Sequence, residues 1–148
     1  IYGTAIGSIA GAVPPVVGYC AVSNHFDAGA AILFVMLVLW QMPHFFSIAL
    51  YHLHDYARAK IPVLPIEKGA RRTKIHMVLY IVGFILAGML LTLFKYTGNT
   101  YLIATSLMGL AWLGLCLKGF VPGNDQLWGK QMFRLSLIMI GTTCVMIP

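Results

Sequence analysis

Charge is scarce in this chain. Of 148 residues only 9% are charged, ten basic and four acidic, where a soluble domain carries about 25%. So few charges cannot cover a water-facing surface, and 59% hydrophobic residues with a mean hydropathy of +0.84 exclude an ordinary soluble core. Cysteine is sparse too. Cys20, Cys116 and Cys144 lie far apart in or beside apolar runs, without metal-ligand spacing, and read as small core residues. No GxGxxG, Walker A, HExxH or nucleophile-elbow motif occurs, which removes the common soluble nucleotide, zinc-protease and hydrolase classes. No secretory signal is recognisable. Low-complexity segments and internal repeats are also missing.

What the chain has instead is uncharged length. Uncharged runs cover residues 1–26, 28–54, 75–94, 96–117 and 135–148. The first four reach the ~17–25 residues of a spanning helix. The last, fourteen residues long, gives roughly 21 Å of helix and reads as an abbreviated fifth span. These runs predict an all-α polytopic membrane bundle of about five transmembrane helices, forming one domain over 1–148 with a loop at about 52–76. The spans are expected at about 1–22, 28–51, 76–94 and 101–117, with the last from near Leu135. Before it, Asn124 or Asp125 suits the cap of a short interfacial helix through Met132. The chain opens on Ile1, directly in a span, and so reads as a fragment or C-terminal half.

Charge placement orients the bundle. If residues 52–76 face the cytoplasm, that side holds nine Lys and Arg residues and the other only Lys95, a clear positive-inside pattern. Topology alone therefore accounts for the basic cluster. The other account is an anionic partner at the membrane surface: lipid head groups, phosphate esters or diphosphates. Nucleic acid is not expected, because the bases lie against lipid.

Eight of the fourteen charges fall between Trp40 and Lys74, and function should concentrate there. On a helical wheel centred on His44, Tyr51 falls about 20° to one side and Asp55, if the helix continues, about 20° to the other. Gln41 and Ser47 lie within roughly 60°. One polar stripe results, which must face other helices or a wet cavity. His44 then reads either as a hydrogen-bonded packing histidine or as a site residue. Pro43 bends the helix beside it. Asp55 among the bases suits a Mg²⁺ bridge to a diphosphate, since Mg²⁺ shares its shell among one or two carboxylates, phosphates and waters. Ile61-Pro62-Val63-Leu64-Pro65 is stiff and reads as a lid or a tether. In the first span, Gly3, Gly7 and Gly11 form a smooth face, and Pro14-Pro15 should break the hydrogen-bond ladder.

Three motifs carry a resemblance: Gly11-Ala12-Val13-Pro14-Pro15-Val16-Val17-Gly18, Trp40-Gln41-Met42-Pro43-His44-Phe45, and Asp55-Tyr56-Ala57-Arg58-Ala59-Lys60-Ile61-Pro62-Val63-Leu64-Pro65. In that order they resemble the UbiA-type intramembrane prenyltransferases, in the protohaem IX farnesyltransferase (haem O synthase) branch, through essentially the whole chain. The resemblance implies the C-terminal half of a nine-helix fold in a bacterial inner membrane. It also implies transfer of farnesyl from farnesyl diphosphate to a vinyl group of haem B, giving haem O for a terminal oxidase. The implied partners include haem A synthase or the oxidase, besides the lipid bilayer.

By motif position, Asp55 is implied as the catalytic acid and Mg²⁺ ligand. Arg58, Lys60, Lys68, Arg71 and Lys74 are implied in diphosphate binding, with Lys74 the first choice. His44 and Tyr51 are implied in haem contact. The family's first Asp-rich motif, Asn-x-x-x-Asp, is missing, so this chain alone should be inactive. The position four after Asp55 is Ala59 rather than a second acid, which argues against the quinone-type relatives. Alternatives are another aromatic prenyltransferase of the family, or a non-enzymatic transporter or respiratory-complex subunit.

Overall fold

A computed structural model describes residues 2–146. Among them are six helices and no strand: α1 Tyr2–Ser23, α2 Ala28–Tyr51, α3 Leu53–Arg58, α4 Leu64–Leu93, α5 Asn99–Lys118 and α6 Asp125–Met146. Local chemistry sets the boundaries. Asp27 is the N-cap of α2, its carboxylate accepting the Ala30 N–H at 2.9 Å, which satisfies one of the amides a helix start leaves open. Pro65 stands in the first turn of α4, where its missing N–H costs nothing. Asn124 starts α6, its Oδ1 accepting the N–H groups of Gln126 and Leu127. Gly69, at φ 80° and ψ 158°, breaks α4 after its first turn, a backbone region open essentially to glycine alone.

Apolar residues fill both the core and the periphery. Met36, Met77, Ile81, Phe84 and Trp112 are sealed inside, while Ile6, Leu79, Ile103 and Leu107 stand exposed on the periphery. Exposed apolar surface on this scale needs lipid as its solvent. Four helical stretches, 3–23, 28–51, 64–93 and 99–118, are long and apolar enough to cross a bilayer. The chain is therefore an integral membrane bundle. α6 has the length, at 22 residues, but carries Asp125, Lys130 and Arg134 in its first half.

α2 is the hub. α1, α4 and α6 all pack on it, and α5 closes against α4 and α6. Small residues let the backbones meet. A methyl added at Gly129 of α6 would stand 3.0 Å from the Tyr51 nitrogen and 3.1 Å from the Ser47 carbonyl oxygen of α2. Gly11 of α1 likewise makes room for the Gln41 side chain.

The structure corrects three expectations. α2 stops at Tyr51 with His52 as its C-cap, so the wheel does not extend to Asp55. The stretch 52–76 is mostly helical, formed by α3 and the start of α4. The interfacial helix and last span are one helix, Asp125–Met146, because no breaker lies between Met132 and Leu135. α1 continues past Pro14 and Pro15 as one helix, with the two ladder bonds missing there as expected because neither residue has an N–H.

Candidate functional site

A cleft of about 920 Å³ opens where the start of α1, the end of α2 and the stretch from Tyr56 to Lys68 meet. Its walls are largely apolar. Gly3 and Gly7 keep the α1 side shallow, Phe45 and Ile48 come from α2, and Ile61 and Val63 from the stiff connection. Glu67 and Lys68 stand at its edge, in the first turn of α4. An apolar trough with charge at one end suits an amphiphile with an anionic head and a hydrocarbon tail.

The residues singled out in the sequence separate into three places. Lys68 lines the cleft. Asp55, Arg58, Lys60 and Arg71 are exposed and do not line it. Asp55 is 73% exposed, and His52 Nδ1 lies 3.1 Å from its Oδ2. Lys74 is different: it is buried at the junction of three helices. Its ammonium donates to the Gly119 carbonyl at 2.6 Å and to Asp125 Oδ1 at 2.5 Å, with the Trp128 ring 5.1 Å away. A diphosphate would have to displace Asp125 to reach it.

His44 and Tyr51 make the third place, on the α6 side of α2. The His44 ring stacks on Trp40, centroids 4.8 Å apart at 22°, and lies 5.1 Å from Phe133. Its Nδ1 is 2.7 Å from Ser136 Oγ. Tyr51 lies under Lys130, 5.5 Å from the ring centroid. The polar stripe therefore divides: His44, Ser47 and Tyr51 turn toward α6, whereas Gln41 turns toward α1. Phe45 and Ile48 bring the cleft to the neighbouring face of the same helix.

Sequence reasoning missed Ser136 and the Lys74–Asp125 pair. The partners lie 92 and 51 residues apart, and no local spacing signals either contact.

Among the described residues no three His, Cys, Asp or Glu side chains gather into a metal-holding group. Asp55 supplies one carboxylate in water. That fits one ligand of a Mg²⁺ ion shared with phosphate oxygens and waters, and does not fit a metal held by this chain alone.

The fold and the cleft together define a membrane helical bundle with a largely apolar cleft whose lining carries Glu67 and Lys68. Residues 1–138 match the UbiA prenyltransferase family, and the chain belongs to that family. It is 60% identical over its full 148 residues to the protoheme IX farnesyltransferase of Protochlamydia amoebophila, covering 52% of that protein. It is 48% identical over 146 residues to the protein of the same name from Serratia proteamaculans, covering 49% of it. Against that from Chromohalobacter salexigens the identity is 49% over 146 residues, covering 50%. The chain thus spans about half the length of the curated relatives it matches. No solved structure matches it.

Proposed function

We propose that this chain forms half of an enzyme that transfers the farnesyl group of farnesyl diphosphate to a vinyl group of haem B, giving haem O. The observation that carries the reading is the apolar cleft with Glu67 and Lys68 at its edge, on a chain 60% identical to a relative named for that reaction.

The apolar walls hold the prenyl chain and exclude water from the allylic carbon. Lys68, with Arg58, Lys60 and Arg71 around it, draws the diphosphate to the rim. The allylic C–O bond breaks and its electron pair leaves with the diphosphate. The vinyl π pair of haem forms the new C–C bond. Water then adds to the resulting cation and releases a proton. Mg²⁺ brought in with the diphosphate and held partly by Asp55 would neutralise charge on the leaving group. His44 contacts the haem, and Tyr51 lies a helical distance of seven residues below it toward the rim.

A chimera tests this. The corresponding half of the Protochlamydia amoebophila relative is replaced by this chain and expressed in membranes supplied with haem B and farnesyl diphosphate. Farnesylated haem should accumulate, and Asp55→Asn should abolish it while haem B still binds. A normal haem B pool with altered solute uptake would instead select a transporter, and prenylation of a quinone-type ring would select another branch of the family.

A further inference from the structure

Ser136 carries two contacts whose combination has a chemical consequence. Its Oγ lies 2.6 Å from the Phe133 carbonyl oxygen and 2.7 Å from His44 Nδ1. Two oxygens at 2.6 Å need a proton between them, and a carbonyl can only accept. A hydroxyl has one proton, so the Ser136 proton is spent on Phe133. Toward His44, Oγ is therefore an acceptor, and Nδ1 must carry the hydrogen. A neutral imidazole protonated at Nδ1 keeps its lone pair on Nε2. Nε2 has no hydrogen-bond partner among the described residues.

The ring is also fixed in orientation. The Ser136 backbone carbonyl accepts from Trp40 Nε1 at 2.9 Å, and that indole is the plane on which His44 stacks. Phe133 lies close on another side. One residue thus sets both the tautomer and the wall. Ser136 itself is completely buried, so water does not compete for Oγ. This is the arrangement of a metal-binding imidazole, whose far nitrogen is anchored so that the near one offers its lone pair.

We propose that Ser136 is a positioning residue that holds His44 in the Nδ1–H tautomer, leaving Nε2 as the ligand for the iron of the haem substrate. The proposal rests on the haem-contact reading of His44 given above and assigns that contact its atom.

Two measurements on the full-length chimera test it. In the haem-free protein labelled with ¹⁵N-histidine, the His44 resonances, assigned by their loss in His44→Ala, should show a proton on Nδ1. In Ser136→Ala that proton should move to Nε2 or distribute over both nitrogens. An Nε2–H tautomer in the unsubstituted protein overturns the proposal without any variant having to fold. In haem B titrations read by the Soret band, Ser136→Ala should weaken binding about 10- to 100-fold and shift the band, with farnesyl diphosphate affinity unchanged. A wild-type band and affinity in Ser136→Ala, when His44→Ala alters both, removes Ser136 and leaves His44 ligation standing. An unaltered band and affinity in His44→Ala removes iron ligation itself.

Discussion

The Lys74–Asp125 pair predicts an asymmetry that can be measured. The two partners are unequally buried: the Lys74 side chain is 8% exposed and that of Asp125 39%. Asp125→Ala leaves an ammonium inside the bundle with only the Gly119 carbonyl and the Trp128 ring for company. Breaking a fully buried pair costs about 3–5 kcal/mol. Water entering where Asp125 stood lowers that to roughly 2–4 kcal/mol, since part of this site already faces solvent. Lys74→Met is milder. Methionine refills the space of the lysine stem, the freed Asp125 hydrates through its exposed side, and the main loss is the bond to the Gly119 carbonyl, about 0.5–1.5 kcal/mol. Asp125→Ala should therefore be the more harmful by at least about 1 kcal/mol. For a protein about twice the length of this chain that corresponds to a melting point lower by roughly an extra 1–2 °C. Thermal unfolding of the full-length protein in detergent reads the difference, and the double variant should recover most of the Asp125→Ala loss. Equal losses, or a larger loss for Lys74→Met, would refute the reasoning by showing that the ammonium lies in water.

Two further outcomes follow from backbone and cap chemistry. Gly69→Ala should destabilise by about 1–3 kcal/mol because its φ of 80° suits no side chain, while Gly18→Ala, a helical position with open space around it, should be neutral or slightly stabilising; melting points that do not separate the two variants would count against the break in α4. Asp27 has its carboxyl held below the usual carboxylate range by the Ala30 N–H, with Tyr19 adding to the effect. A lowered folded value means the cap contributes fully above about pH 4 and loses its contribution as pH falls through that lowered value. Asp27→Asn retains the acceptor and should flatten this part of the acid-unfolding curve. Parallel curves for wild type and variant would exclude it.

The membrane class was legible because it depends on run length and charge count alone. The span expected at 28–51 matches α2, because Asp27 ends one uncharged run and the polar residues after Tyr51 end the next; that Asp27 caps the helix is visible only in the structure. The local rules failed where the decision was tertiary. Nothing between Leu50 and Leu53 breaks helices by composition, yet the chain turns at His52. At the far end, Lys130 and Arg134 suggested a pause at the membrane surface, but continuous packing on α2 and α5 carries the helix through. Lys74 is the first choice among the bases that the resemblance implies in diphosphate binding. Only the fold shows that its neighbour is Asp125, because that contact joins segments the sequence keeps apart. The same holds for Ser136, a serine in an apolar run with no local distinction.

The interruption at His52 takes Asp55 off the line of His44 and Tyr51 that a straight rod would have kept. Asp55 is therefore placed by α3, and its side-chain tie back toward α2 is the contact with His52 at 3.1 Å.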